Sequence, residues 1–275
     1  MKILLSPAKK ITLDDKHGLA MTVPRFQEQS VPLLETLQNM DYPGLKALYK
    51  VSDAVARPVY DHLQALKQGR ETEKYPALLA FSGIAYRYMA PGVFTDEMMQ
   101  YVSDHLLILS GLYGALSPLD GITPYRLEMG TRGPFDLYAW WKKPLQNLLP
   151  DTEEVINLAS AEYAKAVRQF RKVTEVRFLR QKNGKLQETA VYAKMARGAM
   201  VRWMAEHQVQ TANLPDLMNW ATGTIHPAAA KRCWFSSMRK TAAGWPGNRS
   251  VFLHTETGRT WPSRHHPSRF LSVLI

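Results

Sequence analysis

Short runs of apolar residues alternate with amphipathic stretches along most of this chain. Lys2 to Leu5 is a run with no polar interruption after Lys2, which predicts a strand buried on both faces. From Val31 to Met40 the apolar positions Leu33, Leu34, Leu37 and Met40 recur at helical spacing, and Tyr42-Pro43-Gly44 ends that pattern. Leu45, Leu48, Val51, Val55, Val59 and Leu63 predict two short helices within residues 45–66. A tight turn at Lys50-Val51-Ser52-Asp53 separates them, with Ser52 or Asp53 as a cap and a kink at Pro58.

Tyr75 to Phe81 is a further apolar run ahead of Ser82-Gly83. Thr95 to His105 predicts a helix capped by Thr95, and Leu106 to Leu109 a buried strand. Asp136 to Leu149 predicts a helix rich in aromatic residues. Glu154 to Leu158 predicts a strand, followed by a helix from Ser160 to Phe170. Thr174–Arg180 and Leu186–Tyr192 predict a hairpin across Lys182-Asn183-Gly184, and Ala193 to Glu206 a last helix. Strands that alternate with helices, followed by a hairpin, imply an α/β fold: one compact domain with a mixed sheet surrounded by helices.

The 275 residues are 45% hydrophobic and 21% charged, ordinary for a globular protein with a sizeable core. The apolar run at the N-terminus is too short for a signal peptide, and no run reaches the length that spans a membrane, so the cytoplasm is the expected location. Cys233 is the only cysteine, which excludes an internal disulfide and fits a reducing compartment. No Walker A loop, GxGxxG or HExxH is present, and no cofactor or metal is expected.

The net charge of +11 favours polyanionic partners. It is unevenly placed. Residues 1–214 carry 27 Lys and Arg against 22 Asp and Glu, a net of +5, whereas residues 215–275 carry 8 against 2, a net of +6.

Polar chemistry is concentrated from Leu109 to Gly130, where a strand runs into the Gly-flanked loop Ser110-Gly111-Leu112-Tyr113-Gly114. Asp120, Arg126 and Glu128 add both signs of charge. Asp120 and Glu128 are the acid/base candidates, and Arg126 and Glu128 would share a face if extended. An ion pair that braces a long loop is the equal alternative. Asn157 to Lys165 reads as a strand feeding a helix N-terminus, a place suited to anions, with Ser160 as its cap rather than a nucleophile. Lys9 and Lys10 lie just past the first strand. Lys194, Arg197 and Arg202 fall near one helix face, as either a phosphate-binding ridge or an ordinary solvated surface.

In family order, Leu5-Ser6-Pro7-Ala8-Lys9, Ala80 to Tyr86, Leu109 to Gly130, Asp136-Leu137-Tyr138 with Trp141, Ile156 to Ser160 with Glu162, Tyr163 and Lys165, and Tyr192 to Gly198 resemble the YaaA family of bacterial peroxide stress resistance proteins. The resemblance covers residues 1 to about 214. It implies a mixed α/β fold containing a helix-hairpin-helix element. It further implies binding to DNA, with a preference for duplex that is distorted or unpaired. The implied role is protection of DNA under hydrogen peroxide stress, linked to lower unincorporated iron. It brings no enzymatic reaction.

The general helix-hairpin-helix pattern places Lys50 and Ser52 where glycines usually stand, with Leu45, Leu48, Val51 and Ala56 at its apolar and alanine positions. The expected nucleic-acid contacts are Lys9, Lys50, Ser52, Arg126, Lys194 and Arg197. The alternatives are an enzyme acting on a nucleobase or nucleotide around Arg126 and Glu128, and, more weakly supported, an iron-binding protein using carboxylates and tyrosines.

After Leu214 the resemblance stops. Family members continue with Gly-Phe-Asn-Glu-Leu-Gly-Tyr, where this chain has Pro215 to Thr222. Met218-Asn219-Trp220-Ala221 is encoded by ATG, AAC or AAT, TGG and GCN. Read from the G of ATG, every choice spells Glu-Leu-Gly, and permitted neighbouring codons complete the family segment. Residues 215–275 are therefore expected to be an out-of-frame tail of poor order, displacing a native ending that supplied a strand and so exposing a sheet edge. Four of the seven tryptophans and four of the eight histidines fall in it.

Overall fold

The computed structural model describes residues 1–12, 18–70, 73–182, 185–211 and 269–274. Lys2–Leu5 (β1) and the short Lys10–Ile11 (β2) precede three helices, Gln27–Asn39 (α1), Tyr42–Tyr49 (α2) and Asp53–Lys67 (α3). Tyr75–Pro76 (β3), Ala77–Ala80 (α4), Phe81–Ser82 (β4) and Ile84–Met89 (α5) follow, then Asp96–His105 (α6). Leu106–Ser110 (β5), Gly114–Leu116 (β6) and Gly121–Ile122 (β7) lead to Leu137–Leu148 (α7). Val155–Asn157 (β8), Ala161–Arg168 (α8), Thr174–Lys182 (β9), Lys185–Gln187 (β10), Ala190–Glu206 (α9) and Arg269–Leu274 (β11) complete the order.

The main sheet has the order β10-β9-β8-β1-β5-β6, with β11 also on β9. Strands β5, β1, β8 and β9 are mutually parallel, while β6 and β10 turn back antiparallel. It is a mixed sheet in an α/β fold, as the alternating pattern predicts. The centre is covered on both faces, which is why its strands read as uninterrupted apolar runs. Alternate side chains divide between two cores. Ile3, Leu5, Leu106, Ile108 and Ile156 enter one with α5, α6 and α9. Leu4, Leu107, Leu109 and Val155 enter the other with α1, α3, α7 and α8.

Several boundaries differ from the sequence reading. Tyr42-Pro43-Gly44 does not only end α1; it opens α2, because Asp41 caps that helix by accepting from the Gly44 amide at 2.9 Å and Pro43 suits a first turn. The run from Tyr75 to Phe81 divides into β3, one turn of helix and β4. The second arm of the predicted hairpin stops at Gln187, since Ala190 already begins α9, while the Asn183-Gly184 turn lies outside the described residues.

Of residues 215–275, only Arg269–Leu274 is described. It lies parallel to β9 with Arg269 opposite Thr174 and Leu274 opposite Leu179. The sheet edge expected to stand open is thus occupied along that length, by a segment in which four of six residues, Phe270, Leu271, Val273 and Leu274, are apolar. Among the described residues no helix is long and apolar enough to cross a membrane.

Candidate functional site at the carboxyl edge of the sheet

Because β5, β1 and β8 are parallel, their carboxyl ends open on the same edge, where open α/β sheets hold ligands. The loops leaving them are joined by short side chains. Ser6 Oγ accepts from the Ser160 amide at 2.8 Å and donates to Ser160 Oγ at 3.2 Å, closing 154 residues of chain. Ser160 stands at the N-cap of α8, as expected, but its hydroxyl makes no cap bond and instead accepts from Ser6 Oγ. On the next loop Ser110 Oγ accepts from the Tyr113 amide at 2.9 Å and bonds the Tyr125 hydroxyl at 2.7 Å.

The segment after β7 lies across this edge. Gly111 allows it, since a Cβ there would stand 2.3 Å from the Leu127 carbonyl oxygen. The Glu128 amide donates to Thr131 Oγ1 at 3.1 Å and the Gly130 amide to Glu162 Oε1 at 2.8 Å, fixing the loop to α8. A cavity of about 20 Å3 remains, lined by Pro7, Ala8, Lys9, Tyr125, Arg126, Leu127, Glu128 and Tyr163.

Glu128 is the centre of its charge. Its Oε1 accepts from Arg126 Nη2 at 2.8 Å, and its Oε2 pairs with Lys9 Nζ at 2.9 Å. The Arg126 side chain is 13% exposed and that of Lys9 70%. The Arg126–Glu128 ion pair is thus formed, and both side chains line the cavity. Arg126 Nε is buried without a hydrogen-bond partner. Tyrosines pack around the pair. Burial pushes the Tyr163 phenol well above its usual range, with Tyr125 and Glu128 adding to the rise. Burial likewise raises Tyr125 and Tyr86, and Tyr86 donates to the Ser6 carbonyl at 3.0 Å.

The other candidates are distributed differently. Asp120 does not line the cavity. It accepts from Thr22 Oγ1 at 2.7 Å and the Ser117 amide at 2.8 Å, and burial pushes its carboxyl up. Lys50 and Ser52 form the turn between α2 and α3. Lys50 takes the left-handed conformation at φ 51°, and Ser52 is the N-cap of α3 without a side-chain cap bond. Neither lines the cavity; Tyr49, the last residue of α2, has its phenol raised by burial and drawn partly back by the Arg126 guanidinium.

Lys194 is exposed on α9, and neither it nor Arg197 lines the cavity. Arg197 instead bonds Glu188 at 3.3 Å, and burial lowers its pKa. A second polar group stands beside it: Glu175 is buried and accepts from Arg168 at 2.6 and 2.7 Å and from Asn157 at 2.7 Å. Among the described residues no group of three His, Cys, Asp or Glu is placed to hold a metal ion.

Residues 1–224 match the family model described as peroxide stress protein YaaA. The chain belongs to the YaaA family. Relatives named UPF0246 protein agree. That of Lactiplantibacillus plantarum is 46% identical over 218 residues, covering 76% of this chain and 87% of the relative. That of Pediococcus pentosaceus is 42% identical over 233 residues, covering 80% and 92%. That of Agathobacter rectalis is 37% identical over 219 residues, covering 76% and 87%. Membership in YaaA supports a role in peroxide stress.

The sequence reading identified Lys9, Arg126 and Glu128 but assigned no role to Tyr49, Tyr125 or Tyr163, nor to the Ser6–Ser160 clasp. Tyrosine at a helical or loop position reads as ordinary core, and nothing local marks these three rings as neighbours of one charge cluster.

Proposed function

We propose that this YaaA-family chain binds DNA in the cytoplasm, protects it during hydrogen peroxide stress and contributes to lower unincorporated iron. The hairpin between α2 and α3, acting as a helix-hairpin-helix element, is the main support. The left-handed Lys50 closes α2, its amide donating to the Lys46 carbonyl at 2.9 Å, and the N-terminus of the 15-residue α3, with no side-chain cap bond from Ser52, follows directly as the place for an anion. Lys50 adds its charge where the usual glycines supply only close approach. Asp53 would oppose phosphate there, but its carboxylate is engaged by Tyr42 and Lys46, which also hold it below the usual carboxylate range. On this reading Lys9 and Arg126 would add contacts at the sheet edge once released from Glu128, while Lys194 and Arg197, on the other face of the sheet with α9, would be separate contacts.

Titration of labelled duplex at several salt concentrations tests this reading. Lys50→Ala should weaken binding uniformly across sequences and reduce the slope of log affinity against log salt by about one. An unchanged slope would count against the hairpin, and affinity independent of salt against DNA binding altogether.

A second reading, an enzyme acting on a nucleobase or nucleotide, draws on the Lys9–Glu128–Arg126 cluster, with Glu128 as acid/base and Arg126 orienting phosphate. The cavity has room for about one water. A base would enter only if the Lys9 loop moved away, which makes this the lesser reading. A nucleoside bound beside Glu128 in crystals would reverse that order.

A further inference from the structure

Beside the Arg126–Glu128 cavity lies a more open cleft of about 380 Å3 that shares no lining residue with it. The cavity has room for about one water, whereas the cleft reaches the size that takes small organic molecules. It is formed by residues 129–133 and 135–138 together with Lys165. Gly133 borders α2 here, since a Cβ on it would stand 2.4 Å from Leu48 Cδ1.

Two kinds of side chain carry the chemistry of the cleft. Phe135 and Tyr138 present half-buried rings, and Arg132 and Lys165 are exposed cations. The Tyr138 hydroxyl donates to the Glu162 carbonyl at 3.1 Å, which fixes the ring at its polar edge. Lys165 Nζ lies 4.4 Å from the centre of that ring, a weak contact at an exposed site. Among the described residues Arg132 and Lys165 form no salt bridge. The nearby carboxylates are engaged by backbone: Asp136 Oδ1 accepts from the Ala139 amide at 3.2 Å, and Glu162 Oε1 from the Gly130 amide at 2.8 Å. Thr131 ties the cleft to the neighbouring charge cluster. Its hydroxyl accepts from the Glu128 amide at 3.1 Å, and its own amide donates to the Glu128 carbonyl at 3.0 Å.

We propose that this cleft binds a small organic anion, a free molecule with one flat ring and one carboxylate or phosphate group. The ring lies against Phe135 and Tyr138, and the anionic group takes Lys165 and Arg132. Neither half is held well alone, because an exposed ion pair gains little in water and one partly covered ring buries little area. Joined in one molecule, the second contact forms at high effective concentration and both count. Occupancy is felt at Glu128 through Thr131, since a ligand that fixes residues 129–133 also fixes the backbone of the residue that holds Lys9 and Arg126. The inference stands independently of the DNA-binding reading.

The test titrates the full chain with salicylate and with phenyl phosphate, and separately with benzyl alcohol and inorganic phosphate as the two halves, followed by ligand-observed NMR. At least one aryl anion should bind about tenfold more tightly than either half, and the tighter of the two identifies the anionic group. Lys165→Gln and Tyr138→Leu should each remove most of that gain. Tyr138→Phe keeps the ring and should retain it. The basic residues 215–275 attract every anion and are the same in all variants, so their contribution cancels from the comparison. Aryl anions that bind no better than inorganic phosphate, an affinity unchanged by Lys165→Gln, or an equal loss in Tyr138→Phe and Tyr138→Leu would overturn the assignment.

Discussion

Gly198 of α9 lies so close to α5 that a Cβ on it would stand 1.9 Å from the Ala85 carbonyl oxygen. The obstacle is backbone, which cannot swing aside as a side chain can. Gly198→Ala should therefore destabilise the protein by about 1–3 kcal/mol, exceeding the roughly 1 kcal/mol that alanine gains over glycine within a helix. Thermal unfolding checks this, with an expected fall in midpoint of several degrees. The change reaches the site too, because α5 carries Tyr86, whose hydroxyl is bonded to the Ser6 carbonyl.

Much of this architecture is legible in the chain itself. Uninterrupted apolar runs at Lys2–Leu5 and Leu106–Leu109 mark the buried parallel centre, and Thr95 marks the start of α6. The division of Tyr75–Ser82 into two strands around one helical turn is not legible, because those strands are two-residue pairings made with distant partners, β3 with β7 and β4 with β2. In the site, charge and loop chemistry point to Lys9, Arg126 and Glu128. Asp120 carries the same local signals, yet it is turned into bonds with the nearby Ser117 amide and with Thr22, the latter a contact across 98 residues that no local pattern encodes.

The buried carboxylate of Glu175 sets an order among substitutions. Arg168→Ala leaves that carboxylate, 7% exposed, with Asn157 as its remaining side-chain partner. Glu175→Gln instead leaves Arg168, which is 40% exposed and can turn to water. Arg168→Ala should cost about 2–4 kcal/mol and Glu175→Gln about 1–2 kcal/mol. Denaturant midpoints for the two variants give the comparison, and the reverse order would contradict it.

His62 on α3 makes stability depend on pH. Burial lowers its pKa from the ordinary 6.5, and its Nε2 is buried without a hydrogen-bond partner. In the window between the lowered value and 6.5 the unfolded chain binds the proton more readily than the folded one, so stability falls as pH drops through that window. Thermal midpoints measured downward from pH 7 should decline more in the natural protein than in His62→Leu. Parallel declines would remove His62 as the cause.

The reading frame of residues 215–275 is open to direct test. Sequencing the gene across the codons for Ala212–Gly223 should find triplets that spell Gly-Phe-Asn-Glu-Leu-Gly-Tyr in the neighbouring frame. Confirmed codons that cannot spell that segment in the neighbouring frame would end the idea.

The Lys9–Glu128 contact also bears on how this edge meets polyanions. When a lysine neutralises a phosphate, a cation condensed on the polyanion is released, and that release produces the dependence on salt. Lys9 holds a tethered counterion, the carboxylate of its own chain, which stays behind after exchange. Phosphate binding at Lys9 should therefore contribute less to affinity than binding at the hairpin lysine, because the displaced carboxylate remains beside Arg126 to repel a poorly seated anion.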